Sequence, residues 1–153
     1  ELAIIIGKKG VNIREEDALD HVFGYTILND VSARDLQKRH KQFFRAKSLD
    51  TFGPMGPAIV TKDEVISPDN LSIRTYVNDE LRQDGNTKDM IFNIPYLISL
   101  LSTGMTLYPG DVIATGTPSG VGKGFQPPKY LKRGDTVRIE IEGIGSLENP
   151  IGE

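Results

Sequence analysis

The sequence contains no cysteine. Disulfides and thiolate metal sites are therefore excluded, and a reducing compartment such as the cytoplasm suits the chain. Histidine is scarce as well: His21 and His40 are the only two, and they are isolated from one another. Basic charge is not in excess. A net charge of −3 gives no electrostatic case for nucleic acid or for an anionic membrane surface. No apolar run approaches the roughly 18 residues that a membrane-spanning helix needs. The opening, ELAIIIGKKG, has neither the basic leader nor the small-residue cleavage site of a signal peptide. It also lacks an initiator Met and starts inside a strand-like run, so residues upstream of Glu1 are expected. What is present fits a single domain, residues 1–153. A domain of this size can bury about 70% of its unfolded surface.

The hydrophobic pattern predicts strands, short helices and many turns. Leu2–Ile6, with three isoleucines, reads as a buried strand. A short helix is expected over Glu15–Val22 and a second apolar strand over Phe23–Asp30. Ser32–Phe44 reads as one amphipathic helix whose apolar side is Ala33, Leu36, Phe43 and Phe44. His40 falls near that side and is expected to pack rather than act as a base. Further strands are expected at Pro57–Thr61 and Leu71–Asn78, with Asn78-Asp79 turning into a hairpin partner at Glu80–Gln83. Ile94–Leu101 is helical, with Pro95 tolerated only in the first turn. Asp111–Ala114 is a strand. In Thr136–Glu142, Val137, Ile139 and Ile141 alternate with Arg138, Glu140 and Glu142, as in a half-buried strand. Strands without regular βαβ alternation point to an α+β fold with a large mixed sheet.

The stretch DVIATGTPSGVGKG, residues 111–124, resembles an anion-holding loop. It fails as a nucleotide loop. Gly122-Lys123 is followed by Gly124 where a Ser or Thr should ligate magnesium, and Thr117 stands where the first glycine belongs. The dinucleotide pattern fails too, because Phe125 takes the place of its third glycine. A plain glycine-rich turn and a loop for a substrate carboxylate remain as readings. Among the polar residues, Glu1 precedes one buried strand and Asp30 ends another. Two strand-end carboxylates suit a hard divalent cation, whereas spacing alone favours Asp30 as a helix cap worth about 1 kcal/mol. Arg34, Gln37 and Lys41 form one helical stripe, which taken alone is a solvated face. Lys47, in FFRAKSLD, either points at an anion or snorkels.

The order of ELAIIIGKKG, GYTILNDVSARDLQ, RAKSLDTFGPMGP, VNDELRQDGNTKDMIF, LYPGDVIATGTPSGVG and LKRGDTVRIEIEGIGSLENPI resembles the fumarylacetoacetate hydrolase family over essentially the whole chain. That resemblance implies a β-rich roll, usually dimeric, with one Mg²⁺ or Mn²⁺ per active site. It implies an enzyme acting on 2-oxo acids and their enols. The narrower expectation is the 2-hydroxyhepta-2,4-diene-1,7-dioate isomerase or decarboxylase branch. An acylpyruvate C–C hydrolase or an oxaloacetate decarboxylase is the alternative, and a catalytically inactive acid-binding or dimerisation core is the alternative of another class. By resemblance the metal ligands are Glu1, the second member of a Glu-x-Glu pair, and Asp30 of NDVSARD. The first glutamate of the pair would fall two residues before Glu1. Lys47 would be catalytic, and Arg34, Gln37, Gly116 and Thr117 would contact the substrate, a small 2-oxo acid or dicarboxylate. Neither His21 nor His40 matches the family's water-activating pair.

Overall fold

The computed structural model describes residues 1–152. Eight strands and three short α-helices follow in the order β1 (Leu2–Ile6), β2 (Val22–Leu28), α1 (Arg34–His40), α2 (Phe43–Lys47), β3 (Met55–Thr61), β4 (Ser72–Val77), β5 (Glu80–Asn86), α3 (Ile94–Ser102), β6 (Val112–Ala114), β7 (Thr136–Ile141) and β8 (Gly145–Pro150). The α+β class holds. In place of one large mixed sheet, the strands form two sheets of four, ordered β3-β2-β1-β6 and β5-β4-β7-β8. Every pairing between these named strands is antiparallel.

The two sheets share a core. Leu2, Ile4, Tyr25 and Ile27 from the first meet Ile73, Val77, Val137, Ile139 and Ile141 from the second, with Ile94 and Ile98 of α3. β1 is buried at all five positions, so it shows no alternation, whereas β7 alternates in burial along its whole length. The Asn78 turn between β4 and β5 is fixed by its side chain, which accepts from the Thr136 amide at 3.0 Å and donates to Asp135 at 3.1 Å. α3 begins where the sequence indicated: the Asn93 side chain accepts from the Tyr96 amide at 2.8 Å, with Pro95 in the first turn. Glu15–His21 is a 3₁₀ turn.

The helix expected over Ser32–Phe44 is two helices. Lys41 sits in the left-handed region at φ 54° and ends α1, and α2 restarts at Phe43. The break rotates the expected apolar face: Phe43 and Phe44 are 63% and 79% exposed. His40 is exposed rather than packed. Ala46 alone of α2 is buried, and its carbonyl accepts from the Ala33 amide at 2.9 Å, which folds α2 back on the start of α1.

Candidate active site

Three strand ends meet at one place. The Leu2↔Ile27 register is extended by a pair of backbone bonds between Glu1 and Leu28, at 2.8 and 2.9 Å, so Glu1 lies opposite Leu28 and Asp30 follows just beyond it. β6 lies on the other side of β1, and the Thr115 amide bonds the Leu2 carbonyl at 3.2 Å. The next amide, Gly116, donates to Glu1 Oε2 at 3.0 Å. Two carboxylates and the 116–124 loop are thus gathered by antiparallel register alone.

Asp30 is not a helix cap. The cap position of α1 is Ala33, with no side-chain cap bond, and the Asp30 carboxylate is instead ion-paired with Lys47. The fold-back of α2 on α1 makes this possible across 17 positions of sequence. Lys47 is neither fully snorkelled nor fully buried, with its side chain 33% exposed against 20% for Asp30. Burial pushes the Glu1 carboxyl above its ordinary value; the Asp30 carboxylate adds to the push, and the Gly116 N–H and Lys47 oppose it.

These residues line a cleft of about 1800 Å³, together with Arg34, Gln37, Gly116 and Thr117. All seven residues expected from the sequence therefore face one cavity. Arg34 Nη1 donates to Gln37 Oε1 at 3.0 Å, which joins two members of the helical stripe. Gly116, at φ 101°, occupies backbone space that favours glycine, and its amide is committed to Glu1 rather than left open for a ligand. Thr117 is held by Gln83. Seven cationic side chains and three carboxylates line the cleft, so on a chain of net charge −3 this is a positive region.

Spacing gave no role to Arg82, Gln83 or Lys129, which also line the cleft. Arg82 is nearly buried, at 14% side-chain exposure, and its Nε lies 3.0 Å from Glu80 Oε2. Lys129 also pairs with Glu80, and their hydrogen bond holds the Glu80 carboxyl below its usual value. A hairpin strand that reads as solvent-facing carries no signal for such residues. The quoted motif VNDELRQDG was the only pointer to them.

The donors suit a hard divalent cation. They are oxygen only, and the two carboxylates lie close enough for one to raise the pKa of the other. Among the described residues no group of three or more His, Cys, Asp or Glu side chains gathers around one point. Glu1 and Asp30 would supply two of the ligands of such a cation.

Residues 1–152 match the family described as fumarylacetoacetate (FAA) hydrolase C-terminal, and the chain belongs to that family. It is 64% identical over 152 residues to the oxaloacetate tautomerase YisK of Bacillus subtilis, covering 99% of this chain and 50% of that protein. A solved fumarylacetoacetate hydrolase from the psychrophile Exiguobacterium antarcticum superposes with a TM-score of 0.97 at 56% identity, over 99% of this chain and 55% of that one. A maleylpyruvate hydrolase from Sphingobium sp. SYK-6, solved with manganese(II) and pyruvate, superposes with a TM-score of 0.87 at 44% identity, over 99% and 52%. The chain spans about half the length of the curated relatives it matches. Among the described residues no helix is long and apolar enough to cross a membrane.

Proposed function

We propose that this cleft belongs to an enzyme that interconverts the keto and enol forms of a small 2-oxo dicarboxylic acid, of which oxaloacetate is the simplest. The observation that carries the reading is the convergence of Glu1, Asp30 and Lys47 in a positive cleft on an acidic chain. The likeness to an oxaloacetate tautomerase supports it. A divalent cation held by Glu1 and Asp30 would supply Lewis-acid polarisation of the 2-oxo group.

The chain's own residues orient the acid and stabilise its charge. Keto–enol exchange moves one proton from C3 to the 2-oxygen, so nothing is gained or lost overall. Negative charge builds on that oxygen as the C3 proton leaves. The Lys47 ammonium, on the cleft wall beside Asp30, stabilises the developing charge more than the ground-state ketone. Arg34 and Gln37, already hydrogen-bonded to each other, orient the carboxylate of the acid from α1. Thr117 offers a hydroxyl from the loop after β6.

Isomerisation or decarboxylation of a heptadienedioate and hydrolysis of an acylpyruvate pass through enolates of the same kind. Hydrolysis is favoured as a second reading by the similar maleylpyruvate hydrolase. Among the described residues no histidine lines the cleft, and His21 is instead bonded to the Lys8 carbonyl at 2.9 Å. The proton shift therefore asks less of the groups in place. A panel of oxaloacetate, acylpyruvates and hydroxymuconate-type diacids, assayed with Mg²⁺ or Mn²⁺ on the full-length protein, tests the reading. Accelerated enol formation from oxaloacetate without C–C cleavage is the expected result, and cleavage products from acylpyruvates as the main activity would overturn it. We also propose a two-fold homodimer, supported by the half-exposed Phe23, Met55 and Ile59 on β2 and the edge strand β3. Light scattering should give twice the chain mass, and a monomer at micromolar concentration would contradict it.

A further inference from the structure

We infer that Gln83 is a positioning residue that fixes Thr117 as a hydrogen-bond donor toward the bound acid; the inference rests on the 2-oxo acid reading above. The geometry leaves one solution. Gln83 Nε2 lies 2.7 Å from the Pro118 carbonyl oxygen and 2.8 Å from Thr117 Oγ1. A carbonyl oxygen only accepts, so the group facing it must be the amide NH₂ and not the amide oxygen. The same nitrogen, having no lone pair to offer, can only donate to Thr117 as well. The Thr117 oxygen thereby accepts from Gln83 through one of its lone pairs, and its own proton, turned away from Gln83, is left to donate. An exposed threonine hydroxyl with no partner rotates freely, whereas the Gln83 N–H keeps the Thr117 proton from pointing at Gln83.

The support comes from the opposite sheet. Gln83 pairs with Thr75 across the β4–β5 ladder, whereas Thr117 follows β6 of the first sheet. The loop is seated directly on β5: a Cβ added at Gly120 would overlap the Arg82 carbonyl oxygen, and one at Gly85 would come within 2.9 Å of Pro118. The second sheet thus sets the polarity of a group carried by the first. A donor at that point suits a carboxylate or enolate oxygen.

The test is a double-mutant cycle in the full-length protein with Mg²⁺, read as the dissociation constant of oxalate, a planar dianion that mimics the enolate of a 2-oxo acid. Gln83→Met keeps length and removes both donors. Gln83→Glu replaces the NH₂ with an acceptor and invites the Thr117 proton back. Each should weaken oxalate about tenfold, Gln83→Glu more than Gln83→Met, the loss expected for one hydrogen bond to a charged group. In a Thr117→Val background the same Gln83 changes should cost less than about twofold, because the group they act through is gone. A purely structural Gln83 would give equal losses in both backgrounds, with matching falls in thermal midpoint, and would overturn the inference. So would a wild-type protein that binds no oxalate. Turnover of oxaloacetate reports separately on the proposed function: coupling without turnover sinks that function and leaves the inference standing, and turnover without coupling does the reverse.

Discussion

The two sheets use the same antiparallel pairing to different ends. In the first, β1 is buried along its whole length and β2 is buried at five of seven positions, and the chemistry gathers where these strands stop, at Glu1, Asp30 and Gly116. In the second, β7 alternates cleanly and leaves one face half open, and β5, the hairpin partner of β4, brings Gln83 to the loop that the first sheet carries. A strand enclosed on both faces has only its ends free for polar work. A strand enclosed on one face can place polar groups along its length. The first sheet therefore fixes where the carboxylates stand, and the second tunes what surrounds them.

Breaking the strand-end site should have the largest effect. Asp30→Asn removes a carboxylate from a candidate cation site and leaves Lys47 without its ion pair. Divalent-cation affinity should fall by more than the roughly 100-fold that loss of an outer-shell partner can cost. Calorimetric titration with Mn²⁺ measures it, and unchanged affinity would remove Asp30 from the site. The enclosed character of the first sheet is tested by Ile27→Ala, at a residue with no exposed surface. It should cost about 2–5 kcal/mol in chemical denaturation. Ser146→Ala, on the exposed face of β8 in the second sheet, should stay within about 0.5 kcal/mol. Similar losses at both would abolish the contrast.

Next in size is the contact between the sheets. Gly120→Ala combines a φ of 104° with overlap on the Arg82 carbonyl, so the loop must shift away from β5. A loss of about 1–3 kcal/mol is expected, seen as a lower thermal midpoint together with weaker acid binding. Smallest is a pH effect. Burial, helped by the Asp69 carboxylate, pushes the Tyr25 phenol up from 10.0 to about 12. The fold favours the protonated phenol, so this contribution is complete below about pH 10 and is lost as pH rises toward about 12. Tyr25→Phe should flatten the alkaline limb of the stability curve over that window, and an unchanged limb would reassign it to another group.

Sequence reading recovered β1, β4, β7, α3 and the Asn78 turn because each carries an apolar run, a period, or a known turn or cap residue. It missed β8, whose single buried apolar residue, Leu147, creates no period and whose last residue is Pro150. It merged α1 and α2 because a non-glycine residue at positive φ, Lys41, has no signature in the chain. The site was legible in a different way. Spacing read Asp30 as a cap and Arg34, Gln37 and Lys41 as a solvated face. Only the ordered motifs brought Glu1, Asp30, Arg34, Gln37, Lys47, Gly116 and Thr117 into one set, since residues joined by strand register and by the fold-back of α2 are distant in sequence. Gln83 and Arg82 stayed hidden because their role depends on which loop lies on the hairpin.

Lys47→Met tests the central claim most directly, since it keeps much of the side chain's length and apolar stem and removes the charge. The rate of oxaloacetate enolisation and the thermal midpoint are measured together on the full-length protein with Mg²⁺. The expected result is a kcat lower by roughly two orders of magnitude, the range for losing one preorganised electrostatic donor, with a midpoint close to that of the wild type, because the partly exposed Lys47 side chain adds little to the core. A near-normal kcat, or a rate loss matched by unfolding, would contradict the assignment of Lys47 to the developing enolate.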